Sequence, residues 1–297
     1  MKKIEYGGWK NCILLTNGKI EVVVTTDVGP RIIRLGFVDD ENILKEFKDN
    51  LGKTGSDSWR PYGGHRLWHA PEHPVRTYWP DNVPVKHSWD GKTLKLTQEV
   101  ESNGVEKEIE ITLDADVDRL KLLHRLTNKN FWKIKLAPWC LTVMAPGGRV
   151  IFPQEPYGPH PEYLLPARPL VLWQYTDMSD PRYTWGKKYI QIQQDPKATT
   201  KQKIGLLNKL GWAAYYFNKK LFIKKYPYIA GVEYPDYGCN TESYTDPDII
   251  EIESIGPLVE IEPDGKVEYI ENWSLHRVEL DEKEDSIDKK VIPLINK

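Results

Sequence analysis

The densest group of side chains that could do chemistry lies in the fifteen residues from Trp59 to His73. This segment holds three of the seven histidines, two arginines and two tryptophans. Imidazole transfers protons near neutral pH, guanidinium binds carboxylate or phosphate, and a flat indole ring suits the C–H face of a sugar. The first candidates for a functional site are therefore Arg60, His65, Arg66, Trp68 and His69.

The spacing of the histidines also raises the question of a metal. His65, His69 and His73 are four residues apart, so a helix would place them on one face, where they could bind a metal ion. Two glycines precede them, and Pro71 lies inside the run, which argues against a helix. We therefore expect a loop without a metal, whose histidines either serve the site or hydrogen-bond to the backbone.

A second group of candidates lies near the C-terminus. On a β-strand, Glu251 and Glu253 would share one face, roughly 7 Å apart, while Ile250 and Ile252 would take the other. Two carboxylates at that spacing suit a sugar held between them, although alternating Ile and Glu is also typical of a strand at a solvent-exposed edge. Asp236 joins the candidates because it lies in an irregular aromatic segment just upstream, which would place the strand beside a cleft.

The other histidines carry weaker signals. His160 lies in a proline-rich segment, 153–169, and the sequence favours a functional and a structural role for it equally. His124 falls on the apolar face of a predicted strand and is expected in the core. His87 and His276 are assigned to structure. No Walker loop, GxGxxG, GxSxG or HExxH motif occurs, so nucleotide binding, serine hydrolysis and zincin chemistry have no support from motifs.

Composition narrows the class of partner. The 297 residues include 41 Lys and Arg against 43 Asp and Glu, a net charge of −2, which gives no electrostatic case for nucleic acid or an anionic membrane. Mean hydropathy is −0.56, and no apolar run approaches the roughly 18 residues of a membrane span. With three cysteines and no CxxC spacing, buried free thiols are expected. We expect a cytoplasmic protein without a cofactor.

The elements that must position these residues are mostly strands. Apolar and polar residues alternate in Val105–Leu113, and a similar pattern recurs along most of the chain, with turn dipeptides such as Asn-Gly and Asp-Gly between the runs. This predicts one all-β domain over residues 1–297, built as a mostly antiparallel sandwich. No amphipathic helix is evident, and residues 291–295 are expected to dock as a last strand. Residues 50–89 are expected to form a wall of the site.

The order of these pieces resembles the galactose mutarotase-like (aldose 1-epimerase) superfamily, in a branch apart from its characterised enzymes. The resemblance covers most of the chain. It rests on residues 17–22 and 29–32, Arg60 with Gly63 and Gly64, residues 126–128, the glutamate-bearing strand at 248–253, and residues 262–265 and 271–273.

The resemblance implies a β-supersandwich with a sugar cleft and the chemistry of anomer exchange. In the characterised enzymes, a Glu near the C-terminus takes the proton of the anomeric hydroxyl, and a His protonates the ring oxygen. The ring opens and closes again as the other anomer. The position of that Glu matches Glu251, with Glu253 as the alternative.

The acid of the family has no direct counterpart here. Trp139 lies near the position where the family carries its His, so an acid would have to come from His65, His69 or His160. The resemblance therefore implies His65 or His69 as the partner of Glu251. The residues expected to bind the sugar are Arg60, Arg66, Trp68, Trp139, His160, Asp236 and Glu253.

Three functions remain open from the sequence. The first is an aldose 1-epimerase for a free or phosphorylated monosaccharide, the second a carbohydrate-binding protein without catalysis, and the third a lyase or hydrolase on the same fold. Convergence of Arg31, Arg60 and Arg66 would favour a phosphorylated or acidic sugar, since guanidinium binds such anions bidentately. The expected partner is a small carbohydrate, and the sequence does not indicate an oligomeric state.

Overall fold

The computed structural model describes residues 1–165 and 167–296, and β-strands dominate them. The first nine strands are β1 (Lys2–Tyr6), β2 (Trp9–Thr16), β3 (Ile20–Thr25), β4 (Arg31–Phe37), β5 (Gly64–Ala70), β6 (Lys86–Trp89), β7 (Thr93–Thr97), β8 (Val105–Leu113) and β9 (Arg119–Asn128). The next eight are β10 (Ile134–Met144), β11 (Arg149–Pro153), β12 (Leu170–Leu172), β13 (Tyr183–Trp185), β14 (Tyr189–Gln193), β15 (Gln202–Leu206), β16 (Trp212–Phe217) and β17 (Lys220–Lys225). The remaining elements are α1 (Pro235–Gly238), β18 (Thr241–Thr245), β19 (Ile250–Ile255), β20 (Val259–Ile261), β21 (Lys266–Arg277), α2 (Glu284–Lys290) and α3 (Ile292–Ile295).

The strands form two large antiparallel sheets, which confirms the predicted all-β sandwich. The first sheet has 11 strands in the order β1-β2-β3-β4-β5-β10-β19-β18-β15-β12, with β20 paired to β10. The second has 10 strands in the order β13-β14-β11-β16-β17-β21-β9-β8-β7-β6. The main apolar core draws side chains from both sheets. Among the described residues, no helix is long and apolar enough to cross a membrane.

Strand β5 corrects the expectation of a histidine-bearing loop. It is buried along its whole length and lies between β4 and β10 in the middle of the first sheet. A strand covered on both faces shows no alternation of apolar and polar residues, which is why its sequence does not read as a strand. Gly64 has a φ of +68°, and a Cβ there would lie 2.0 Å from the Ile32 carbonyl oxygen. Glycine at this position therefore permits the close approach that starts the strand.

The C-terminus is helical, so the expected last strand at 291–295 is wrong. Acidic residues fill the first turn of α2 and lysines fill its last turn, an arrangement that favours a helix through its dipole. Ile287, Val291 and Ile295 follow at a spacing of four and bury one face against the second sheet. The charged residues 288–290 and the proline at 293 hide this helical period in the sequence.

A buried ion pair ties the two sheets together. Lys224 of β17 and Glu271 of β21 are fully buried, and the Lys224 Nζ lies 2.9 Å from the Glu271 Oε1. The same ammonium donates to the carbonyl oxygens of Cys140 at 2.9 Å and Ile252 at 3.3 Å, and to the Thr142 hydroxyl at 3.0 Å. A side chain of the second sheet thus bonds directly to the backbones of β10 and β19 in the first.

Replacing one member of this pair should be strongly destabilising. Lys224→Met leaves the Glu271 carboxylate buried without its counter-charge, and we expect a loss of about 3–5 kcal/mol in the free energy of unfolding, measured with urea. The double variant Lys224→Met/Glu271→Gln should lose less than the sum of the two single variants. A loss below about 1 kcal/mol in the single variant would contradict the role assigned to the pair.

Candidate functional site

The central strands of the first sheet carry the predicted site residues on two different faces. Arg66 and Trp68 of β5 lie on the face turned away from the second sheet, and Trp68 is paired with Trp139 of the neighbouring β10. The two indole rings are in edge contact, with their centroids 5.6 Å apart. Three of the residues expected to bind a sugar are therefore adjacent on one surface, which we call the outer face.

Both candidate carboxylates of β19 lie on the same outer face. Glu251 is paired with Val143 of β10, and Glu253 with Leu141. Leu141 is in turn paired with Arg66 of β5, so the carboxylates lie on the face that carries Arg66. Strand β19 lies inside the sheet, so its alternating Ile and Glu do not mark an exposed edge. Glu251 is 7% exposed and Glu253 is fully buried.

Each of these carboxylates has a specific partner among the predicted residues. The Arg66 Nη2 donates to the Glu251 Oε1 at 3.3 Å. The Trp139 Nε1 donates to the Glu253 Oε2 at 2.7 Å. The residue near the expected position of the family's acid is therefore a hydrogen-bond donor that orients a carboxylate.

Two central residues of the outer face are absent from the sequence-based candidates. Lys203 of β15 lies between two carboxylates, with its Nζ 2.7 Å from the Glu242 Oε2 and 3.3 Å from the Glu253 Oε2. Glu242 of β18 is directly opposite Glu253 in the pairing of β18 with β19. Only the register of strands that are remote in sequence brings these groups together, and no local motif marks them.

Aromatic side chains wall a cleft on this face. Trp59, Trp68 and Tyr78 contact one another edge to face, with centroid separations of 5.2–5.6 Å. The cleft has a volume of about 400 Å³, and its lining includes Tyr78, Trp139, Trp173 and Asp236. Residues 50–89 supply Glu72, Pro74 and Tyr78 to this lining, and Trp59 and Trp68 contact the ring of Tyr78, so the segment does contribute a wall.

Asp236 reaches the cleft from a strained turn. It and Tyr237 have φ values of +51° and +60° within α1, a conformation that side chains other than glycine rarely adopt. Burial raises the pKa of Asp236, and its interactions with the Glu242 carboxyl and the Lys203 ammonium partly oppose the increase. Strain at a residue that lines a cleft is common at functional sites.

Burial also shifts the carboxyl groups of the strands. Loss of solvent raises the pKa of Glu251 to about 7; Arg66 opposes the increase, and the charge of Glu253 adds to it. Burial raises the pKa of Glu242 well above its usual range, against the effect of Lys203. The outer face therefore holds carboxyl groups that carry or release a proton near neutral pH.

Several buried polar atoms of this face lack a hydrogen-bond partner among the described residues. They include donors and acceptors, and a buried polar group without a partner is costly unless a ligand or water fills the place. The clearest cases are the Nε1 atoms of Trp59 and Trp68, the Nε of Arg66 and the Oε1 of Glu253. Hydroxyl groups, which donate and accept, would satisfy both kinds.

His65 and His69 lie on the opposite face of the sheet, so the expected pairing of either with Glu251 is wrong. The His65 Nδ1 is 2.9 Å from the Thr142 Oγ1, and its Nε2 is 2.8 Å from the Nε2 of His124 in the second sheet. His69 is 3.3 Å from the Asn103 amide nitrogen. Successive side chains of a strand alternate between faces, and this alternation separates both histidines from Arg66 and Trp68.

Burial keeps these imidazoles neutral, so at neutral pH they do not carry the proton that a general acid must donate. Burial is the largest cause that lowers the pKa of His65 and of His124, and it lowers the pKa of His69 to about 3. His124 lies in the core, as predicted. His160 is exposed in the segment between β11 and β12, and nothing in the contacts of the cleft involves it.

One buried group has the composition of a metal site. The ligand atoms of His65, His124 and Glu271 lie within 4.8 Å of one another. Each already has a partner in the hydrogen-bond network, and the Lys224 ammonium supplies the positive charge beside Glu271. The network explains these residues without a metal ion.

The arginines do not converge on one anion. Arg31 is fully buried and bonds to the Asp81 carboxylate at 3.0 Å, while Arg66 is engaged by Glu251. Arg60 is half-buried, and its charge acts on Tyr62 rather than on the cleft. The condition that would favour a phosphorylated sugar is therefore not met by these residues.

Comparison with solved structures identifies the architecture. A galactose mutarotase-like protein from Lactobacillus casei superposes with a TM-score of 0.58 and 10% identity, over 90% of this chain and 100% of that one. A galactose mutarotase related enzyme from Lactobacillus acidophilus gives a TM-score of 0.53 and 11% identity, over 91% and 100%. The chain has the galactose mutarotase-like fold. No family model and no curated protein matches the sequence.

The same fold occurs in a longer protein. A TPR-domain containing protein from Parabacteroides distasonis superposes with a TM-score of 0.63 and 14% identity over 91% of this chain. The chain spans 48% of the length of that protein. At these identities, the likeness to galactose mutarotase-like structures concerns the fold, and the activity has to be argued from the cleft.

The histidine assignment can be tested directly. Because burial holds His65, His69 and His124 neutral, we expect their ring ¹⁵N chemical shifts to stay constant between pH 8 and pH 5 in NMR spectra of the labelled protein. A ring that titrates with a midpoint near 6.5, the ordinary value for histidine, would show that it reaches solvent and would contradict this assignment.

Proposed function

We propose that the protein binds a monosaccharide in the cleft of the outer face and interconverts its anomers, as an aldose 1-epimerase does. The observation that carries the proposal is that Glu253 bonds to Trp139 and Lys203, two residues that line an aromatic cleft, on a sheet of the galactose mutarotase-like fold. Glu251 lies two residues away on the same face of the strand. Unpartnered buried donors and acceptors around the cleft support a ligand rich in hydroxyl groups.

Glu251 is the proposed base. Its pKa of about 7 suits a group that accepts and returns a proton near neutral pH. In the proposed reaction, the Glu251 carboxylate takes the proton of the anomeric hydroxyl as the bond between C1 and the ring oxygen breaks. Rotation about the C1–C2 bond and the reverse proton transfers then give the other anomer.

Asp236 and Glu242 together are the proposed acid. Their carboxyl groups interact, and burial raises the pKa of both, which favours a proton shared between them. Asp236 lines the cleft and would deliver this proton to the ring oxygen as the ring opens. This assignment replaces the histidine acid of the family, whose place is near Trp139.

A second function is favoured by one specific observation. Trp139 donates to Glu253 near the position where the family carries its acid, which favours a binding site without a histidine acid at that position. A carbohydrate-binding protein without catalysis is therefore the alternative. A lyase or hydrolase on the same fold stays a prediction from the sequence.

Glu251→Gln tests the base. Removing the proton acceptor should lower the rate of anomer exchange by about 10²- to 10⁴-fold, while sugar affinity stays within about tenfold. The measurement is polarimetry or NMR exchange on a panel of hexoses, pentoses and their phosphates. Glu260→Gln, on exposed β20 of the same sheet, is the matched control and should leave the rate unchanged.

The outcomes separate the two functions. Sugar binding without accelerated exchange in the unmodified protein would favour the binding protein over the epimerase. Unchanged exchange in Glu251→Gln would remove Glu251 as the base, and absence of binding to every sugar on the panel would contradict both functions.

The pH dependence tests the same residue independently. Only the ionised carboxylate accepts a proton, so kcat/KM should rise as the pH increases through about 7. An ordinary glutamate would already be ionised at pH 5.5 and would give a flat profile from there to pH 7. A flat profile over this range, after subtraction of the buffer-catalysed rate, would contradict the assignment of Glu251.

A further inference from the structure

The charges around the cleft do not balance. Glu72 and Asp236 line it directly, and three more carboxyl groups lie next to its lining through ion pairs with two cationic side chains, Lys203 and Arg66. The carboxyl groups are Glu72, Asp236, Glu242, Glu251 and Glu253. These five groups belong to strands β18 and β19, turn α1 and the segment after β5. With one proton shared between Asp236 and Glu242, as proposed above, four carboxylates face two cations when Glu251 is ionised.

Each cation is already paired with a carboxylate, and the Nε of Arg66 is the one buried donor of these two side chains without a hydrogen-bond partner among the described residues. Arg66 bonds to Glu251 at 3.3 Å, and its guanidinium carbon lies 4.2 Å from the ring centroid of Trp68. Lys203 contacts Glu242 and Glu253, and its Nζ lies 4.6 Å from the ring centroid of Trp173. A phosphate or carboxylate on the sugar would meet the surplus acidic groups, and the two cations are already neutralised.

A carboxylate oxygen of this group lacks a hydrogen-bond donor in the described part of the chain. The Glu253 Oε1 is buried without a hydrogen-bond partner among the described residues, while its other oxygen is held by Trp139. Glu253 itself is fully buried. Glu72, at the mouth of the cleft, accepts a hydrogen bond from Tyr78. An ammonium group offers three donors together with the missing positive charge.

From this juxtaposition of surplus carboxyl groups, an unpartnered buried carboxylate oxygen and aromatic walls, we infer that the preferred ligand is an amino sugar, whose protonated amine contacts the acidic side of the cleft. The inference rests on the proposed function, since it names the substrate class of the same site. It also removes phosphorylated sugars from the range that the sequence leaves open.

A matched series of ligands tests the inference. Glucosamine, galactosamine and mannosamine are titrated against their parent hexoses, their N-acetyl derivatives and the hexose 6-phosphates, with binding followed by NMR or calorimetry. We expect at least one hexosamine to bind about tenfold or more tightly than its parent sugar, and N-acetylation to abolish that preference because it removes the charge. The preference should also shrink at 0.5 M salt if it is electrostatic.

Glu253→Gln keeps the shape of the side chain and removes its charge. It should reduce the preference for the amine by about tenfold, where the preference is the ratio of the affinities for the hexosamine and its parent hexose in the same variant. Glu260→Gln, remote from the cleft, should leave the preference unchanged. If Glu253→Gln does not fold, the ligand series on the unmodified protein still decides the matter.

Each result distinguishes this inference from the proposed function. Equal or weaker binding of all three hexosamines relative to their parents, or tighter binding of a 6-phosphate, would overturn the inference, even if anomer exchange is accelerated. A hexosamine preference without accelerated exchange would support the inference and contradict the epimerase. No binding by any sugar of the series would overturn both.

Discussion

The alternation of side chains along β5, β10 and β19 is the constraint on which the site depends. One residue in two faces the cleft, and the next faces the second sheet, so Arg66 and Trp68 are separated from His65 and His69 although they are neighbours in sequence. The pairing of three strands in register then aligns Arg66 with Leu141 and Glu253 in one row, and Trp68 with Trp139 in the next. A shift of one residue would exchange the two faces and dismantle the cleft.

The side chains that face the second sheet support the strand whose other side chains face the cleft. Ser254, next to Glu253 on β19, bonds through its hydroxyl to the buried Glu271 carboxylate, and Lys224 bonds to the backbone oxygen of Ile252. These contacts fix the backbone of β19 on both sides of Glu253. Buried polar groups that are fully paired hold a unique arrangement, and here they hold the strand that carries both carboxylates of the proposed chemistry.

Much of the architecture is predictable because half-buried strands alternate. The sequence predicts β8 with the bounds observed, and it predicts correctly that Glu251 and Glu253 share a face. It does not predict β5, since a strand buried on both faces has no alternation, and two glycines and a proline resemble loop signals there. It also does not predict α2, whose buried face is hidden by charged residues.

The centre of the site is harder to predict for a different reason. Lys203 and Glu242 belong to strands that meet β19 only through the order of strands in the sheet, and neither lies in a motif. The histidines are the opposite case, since the sequence predicts a catalytic role that the structure does not support. Their density suggests catalysis, whereas their burial assigns them to the interior network. Position in the sheet, rather than residue type, decides which groups reach the cleft.

The proposed function requires a sugar to bind at the outer face of the first sheet. The most direct measurement is a crystal structure of the protein soaked with the sugar that binds best in solution. We predict one ring in the cleft between Trp68, Trp139 and Trp173, with hydroxyl oxygens within about 3.2 Å of a carboxylate oxygen of Glu251 or Glu253. A sugar ordered only elsewhere on the molecule, with the cleft filled by water alone, would contradict the account.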